Sequence, residues 1–477
     1  MPTRASIKIS GNNGYVVAGD VDTDIDLGSG TGALVSAGNG NDTVTGGSGL
    51  AAITLGDGDN RVSLGGNNNY IVIGNGRNVV DLGHGTGHLV SLGNGADTVT
   101  GGTGLVSLTM GDGDDHVALG GNNNSIVMGH GDETVDLGSG TGHWVRLGRG
   151  NDAVTGGTGL VNLTLGGGND HVALGGNNNM IVLGDGHDVV DLGTGTGHRV
   201  SLGDGDDLVT GGTGLVSLTM GNGNDTVTPG GNNNTIRLGN GHDVLDLGSG
   251  TGHFVALGNG NDNVTGGTGL VHLTLGDGDN RIAAGGNNNV IQGGDGGNIV
   301  DLGSGTGSLL HLGHGANHVT GGSGMIGVTV GDGVNDIALN GYNNFVSVGH
   351  GTDTVHLAGG GNIVRGGGGT LSLTLTGAAN MVFLAGGTTQ ITDQSVALGV
   401  QVDSHATVLT LSAFNIASGA FVDLIGAGFG GAAAVIAALR PDGGNGSLLD
   451  FGQGSRIHFT GIATSEFHTR NFQLDHV

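Results

Sequence analysis

The sequence predicts an all-β chain: a parallel β-roll or β-solenoid with a small β-rich cap at its C-terminal end. Three observations predict it. Glycine supplies 112 of 477 residues, while proline is limited to three and cysteine is absent. A six-residue mark, GGSGLA at Gly46 and GGTGLV at Gly101, Gly156, Gly211 and Gly266, returns every 55 residues, with GGSGMI at Gly321 as its last copy. Between the marks, short runs alternate aliphatic and polar residues, as in His116-Val117-Ala118-Leu119. So much glycine costs backbone entropy throughout. One mixed core would not offset that cost, and scarce proline excludes a collagen period. Stacked repeats, each lending a few aliphatics to a shared thin core, remain as the solution.

Each 55-residue unit divides into six strings. From Gly111 they read GDGDDHVAL, GGNNNSIVM, GHGDETVDL, GSGTGHWVRL, GRGNDAVTG and GTGLVNLTL, all of nine residues except the fourth, which has ten. Every string opens on a glycine-rich turn and closes on a run with strand periodicity. Two strings make one coil of about 18 residues, with two sheets back to back. The glycines provide turn conformations that other residues resist. A disordered Gly-Asn linker would have no reason to hold its aliphatics in register.

GNGNDTVTG at Gly38–Gly46 and GDGDDLVTG at Gly203–Gly211 resemble the RTX (haemolysin-type) calcium-binding nonapeptide, read in rotated frame. The resemblance covers about residues 10–357. It implies a right-handed parallel β-roll wound around rows of calcium ions. The sequence departs from that pattern where leucine replaces glycine at the closing position, as at Leu119 and Leu137, which predicts a more apolar core.

An even number of strings per unit sends odd strings to one edge of the roll and even strings to the other. The fifth position of the odd strings reads Asp42, Asn60, Asn78, Asp97, Asp115, Glu133, Asp152, Asp170, Asp188, Asp207, Asp225, Asp243, Asp262, Asn280, Asn298, Asn317, Asn335 and Asp353. Neighbours stand one coil apart, roughly 4.8 Å if coils pair like strands. Carboxylates that close repel unless a cation lies between them. Calcium takes six to eight hard oxygens, and glycine carbonyls can complete the set. In the RTX family this aspartate is the calcium carboxylate, and the resemblance carries that role to the acidic positions of the ladder. The corresponding even positions are Asn124, Gly142 and Val161, which offer no carboxylate. That edge is expected to close through Asn hydrogen bonds, Gly-Thr turns and apolar packing.

No catalytic constellation is expected. His88, His143, His198 and His253 recur three coils apart, about 14 Å by strand spacing, too far to share a metal. They are expected to fill turns or sit at the surface. Asp26, Asp81, Asp136, Asp191, Asp246 and Asp301 are flanked by inward aliphatics and should form a solvated outward row. Threonine rows, Thr54 to Thr329 and Thr45 to Thr320, suggest the grid of an ice-binding face, but only one string in six carries each.

The net charge of -28 argues against nucleic acid or anionic membrane partners and favours cations. No apolar stretch is long enough to span a membrane, and MPTRASIKIS has no apolar core of a Sec signal. The expected organisation is a roll over 1–357, degenerate coils over 358–390, and a cap over 391–477 with one helix near Gly431–Asp442, ended by Pro441. The tail, finishing on Asn471-Phe472-Gln473-Leu474, is similar to the C-terminal ends of type I-secreted RTX proteins. That similarity implies passage through type I export machinery and an extracellular or cell-surface location. The expected function is a calcium-stabilised structural protein of a filament, surface layer or biofilm matrix, self-associating head to tail. The alternative is a surface adhesin that binds ice or a glycan.

Overall fold

The computed structural model describes residues 4–405 and 407–474. The chain is an all-β parallel solenoid, with mixed antiparallel strands at its C-terminal end. It divides into two compact units, Met1–Gly239 and Asn240–Val477.

In the first unit, strands of odd strings form one sheet and strands of even strings the other. Register shows the coil length directly. His116–Leu119 pairs in parallel with Thr134–Asp136, so that His116 faces Thr134. Thr134 then faces Ala153, a step of 19 made by the ten-residue string, and Ala153 faces His171, a step of 18. The alternation buries one parity. Val117 and Leu119 are at most 1% exposed, as are Val135 and Leu137. The closing leucines therefore widen the core, as their positions predict. Outward positions hold Trp144 and the threonine rows, including the half-exposed Trp144 ring at 45%.

The turns need glycine where coils nearly touch. At Gly113 φ is +152°, and an added Cβ would lie 1.9 Å from the Gly95 carbonyl oxygen. Gly113→Ala is therefore expected to destabilise the first unit by at least about 1 kcal/mol. An unchanged urea midpoint would refute this. On the other edge, Asn68, Asn123 and Asn178 adopt φ of 58–60°, the left-handed region that asparagine tolerates.

The second unit continues the same plan from His253–Ala256 onward. Parallel coils persist past the region of degenerate sequence. Thr370–Ala378 pairs with Gly387–Val396, and Gly399–Asp403 with Phe421–Ile425. The acidic nonapeptide turn is lost here, but glycine turns, an Asn344–Asn362–Asn380 ladder and the alternating inward aliphatics remain and keep the strands in register. Beyond Ile425 the pattern changes. Ser447–Asp450 and Arg456–Thr460 form an antiparallel pair against Thr407–Ser412. The helix spans Ala432–Ala438 and stops before Pro441, which sits in a short extended pairing. Phe414, Phe459, Phe467 and Phe472 pack together beneath it, with ring centroids 4.8–6.1 Å apart. The tail residues Asn471 and Phe472 belong to this core: Asn471 is fully buried and its Nδ2 donates to the carbonyls of Ile416 and Ala420.

Candidate metal centre

The twelve acidic ladder residues, Asp42, Asp97, Asp115, Glu133, Asp152, Asp170, Asp188, Asp207, Asp225, Asp243, Asp262 and Asp353, are all buried, none more than 2% exposed. Their side chains share the parity of the inward aliphatics: Asp115, Val117 and Leu119 face the same interior. Each lies where its turn enters the strand, inside the roll.

One oxygen of each carboxylate has a fixed task. The Asp97 N–H donates to Oδ1 of Asp115 at 2.7 Å, the Asp115 N–H to Oε2 of Glu133 at 3.0 Å, and the Glu133 N–H to Oδ1 of Asp152 at 3.0 Å. Asp152 donates likewise to Asp170, and Asp170 to Asp188, both at 2.9 Å. In the second unit Asp262 Oδ1 accepts from the Asp243 N–H at 3.1 Å. The ladder thus satisfies a backbone donor that the tight turn leaves without a sheet partner.

The asparagine coils show what the other side-chain atom meets. Asn60 Nδ2 donates to the carbonyls of Gly56 and Gly58 and to Oδ1 of Asn78, at 3.2, 2.9 and 3.1 Å. Asn78 Nδ2 repeats this toward Gly74, Gly76 and Asp97 Oδ1. In the second unit Asn298 Nδ2 does so toward Gly294, Gly296 and Asn317. Three oxygens therefore converge on the place where an NH₂ group sits. In the acidic coils that place is taken by a carboxylate oxygen. Oδ2 of Asp42, Asp97, Asp115, Asp152, Asp170, Asp188, Asp207 and Asp262, and Oε1 of Glu133, are buried without a hydrogen-bond partner. An acceptor faces acceptors, so each such place calls for a positive charge or a proton.

The electrostatics agree. Burial pushes Asp115, Asp152 and Asp188 up to about 7, Asp170 to about 6 and Glu133 to about 8, against partial relief from the donated N–H groups. Burial also raises Asp42, Asp97, Asp207, Asp262 and Asp353 above the usual carboxylate range. Among the described residues no three His, Asp or Glu side chains converge on one point. A cation would bind the file one coil at a time, with glycine carbonyls completing each set.

The outside of the same turns carries a second, exposed file running the opposite way. The Asn39 N–H donates to Asp20 Oδ1, Asn75 to Asp57 and His130 to Asp112, at 2.7–2.9 Å. Counting only the fifth position passes over this file, although its Asp and Asn residues recur at every second position of the odd turns.

The even edge contains its own inner ladder. The Val106 N–H donates to Asn124 Oδ1 and the Val161 N–H to Asn179 Oδ1, both at 3.0 Å, while Asn124 Nδ2 closes on the Gly121 carbonyl at 3.1 Å. The structure corrects one assignment. Register places His143, not Gly142, opposite Val161. His88, His143, His198 and His253 are at most 2% exposed, so they fill the edge and do not lie at the surface. The outward aspartates are not merely solvated: Oδ1 of Asp81 and Asp136 accepts the N–H of Gly83 and Gly138, fixing the turn that follows.

No family model matches this chain, and no curated protein or solved structure matches it either. Its parallel solenoid of 18-residue coils is compatible with an RTX-type β-roll. No helix among the described residues is long and apolar enough to cross a membrane.

Proposed function

We propose that the chain is a secreted structural protein whose roll is closed by calcium along its odd edge, working in an extracellular filament, surface layer or biofilm matrix. One observation carries the calcium reading: a file of buried, partnerless carboxylate oxygens occupies the place where neighbouring coils put an NH₂ donor. The residues fit a hard cation. Asp97, Asp115, Glu133, Asp152, Asp170, Asp188 and Asp207 supply charge, and the glycines at the first and third positions of each turn supply carbonyls. Bound calcium supplies positive charge, and the chain supplies the cage only once folded, so binding and folding are one equilibrium.

The even edge, lined by Asn, His and Val, has no carboxylate in its inner ladder and is expected to take no such row. Head-to-tail association and type I export belong to the same proposal. Such association would draw on exposed apolar side chains of the first unit. Tyr15 and Val17 are exposed at 69% and 62%.

Asp170→Ala tests the site. It deletes the acceptor of the Asp152 N–H together with the charge, and is expected to cost about 1–3 kcal/mol in saturating calcium. Calorimetric titration should show fewer bound calcium ions than the wild type. Equal stoichiometry in the two proteins, or no calcium binding by the wild type, overturns the reading.

A further inference from the structure

We infer that the buried imidazole row of the even edge is an acid-release device, holding that edge closed while neutral and opening it when protonated. The inner ladder there repeats as Asn69–His88–Val106, Asn124–His143–Val161 and Asn179–His198–Val216 in the first unit, with His253–Val271–Asn289 in the second. In this ladder the asparagine side chains accept the N–H of the coil before them, while the valines only pack. His88 obeys the rule, its Nδ1 facing the Asn69 N–H at 3.4 Å. The neutral His88 ring is thus an acceptor at Nδ1, and the other three rings are buried at the same ladder position. Protonation converts Nδ1 to a donor and sets it against another donor.

No carboxylate on the inner side would receive the added charge, and only the backbone of the preceding turn offers partial relief. Nε2 of His88 and both ring nitrogens of His143, His198 and His253 have no hydrogen-bond partner. The turns packed on the rings, 65–69 and 101–105, 120–124 and 156–160, 175–179 and 211–215, and 266–270, contain only Gly, Asn, Thr and Leu. The titratable or charged side chains on the adjoining strands and turns are Tyr70, Asp81 and His84 near His88, Asp136 and Arg146 near His143, Asp191 and Arg199 near His198, and Asp246 and His272 near His253. The aspartates are bound to Gly83, Gly138, Gly193 and Gly248 on the outer side. Burial holds all four imidazoles below their ordinary value, and the backbone of Gly85, Gly140, Gly195 or Gly250 offsets part of that.

The sign follows. A ring kept neutral in the folded state contributes stability that is present above the unfolded value, about 6.5, and is lost as pH falls below it. Each such ring raises the opening constant by up to about tenfold per pH unit. The chain itself places Ala33 and Ser308 in the corresponding positions of its first and last copies, both buried, so a small side chain is accommodated there.

The test compares the wild type with the fourfold variant H88S/H143S/H198S/H253S from pH 7.5 to 5.5, in saturating calcium and again in metal-free buffer. The wild-type melting midpoint should move downward relative to the variant by at least about 5 °C on acidification in both buffers. Parallel curves overturn the device, whatever the calcium result. Should the variant not fold, imidazole proton resonances of the wild type decide. Four rings that stay neutral until the Asn69, Asn124 and Asn179 amides lose protection support the device. Rings that protonate near 6.5 with those amides still protected overturn it.

Discussion

With the four buried imidazoles replaced by serine, the metal-free protein is expected to be most stable near pH 4 and to lose its first-unit coils as pH rises toward 8, with calcium restoring them at neutral pH. The folded-state values of Asp115, Glu133, Asp152, Asp170 and Asp188 are raised, to between about 6 and about 8. A raised acid is protonated in the fold and ionised in the unfolded chain between about pH 4 and its folded value. Its contribution is complete below the unfolded value and disappears as pH climbs through the folded one. The limit is about 1.4 kcal/mol per pH unit for each group. Several such groups in one file can cross the marginal stability of a domain. Calcium reverses the dependence because it requires the ionised form. Circular dichroism melts of dialysed protein across this range measure the effect. The imidazole row acts with opposite sign, so the fourfold serine variant gives the cleaner curve. Metal-free stability that rises from pH 4 to 8 in that variant would contradict the account.

The period of 55, the coil of 18 and the division into two unlike edges were legible because turns and strands are too short to hide their spacing. The depth of the ladder was legible too, by a count that starts from the strand. Asp115 stands two before Val117 and four before Leu119, which in a strand is one face. Counting from the glycine that opens each string gives no face, because turn residues have no fixed parity. The same choice misplaced the imidazoles. In the ten-residue string a count of five from Gly138 falls on Gly142, whereas stepping back two from Val145 falls on His143. The inserted residue moves the turn and leaves the strand in register, since slipping the strand would turn Val145 outward. The cap was less legible. Its coils keep parallel pairing without the glycine signature, and Phe414, Phe459, Phe467 and Phe472 meet from distant parts of the chain. Local spacing carries no record of that meeting.

Replacing the acidic file by amides is expected to make the roll independent of calcium while leaving its shape unchanged. The chain already contains the experiment in part, since Asn60 and Asn78 occupy the ladder with every side-chain atom bonded. Asp115→Asn, Asp152→Asn, Asp170→Asn and Asp188→Asn keep the Oδ1 acceptor and put an NH₂ donor before the glycine carbonyls. Glu133→Gln does the same with a longer arm. Each change removes a buried partnerless oxygen and a like charge, worth about 1–3 kcal/mol to the metal-free fold at pH 7.5. The fivefold variant should therefore melt well above the metal-free wild type, gain little from added calcium, and lose the pH dependence described above. Asp170→Ala separates this from a general effect of lost charge, because alanine removes the charge but also the acceptor that Asp152 needs. Alanine should therefore stabilise the metal-free fold less than asparagine does. A fivefold amide variant that still requires calcium, or that melts below the metal-free wild type, would show that the partnerless oxygens do not control folding. The cation would then have to be sought on the exposed outer file, where Asp20, Asp57 and Asp112 bond the next coil through one oxygen and leave the other toward solvent.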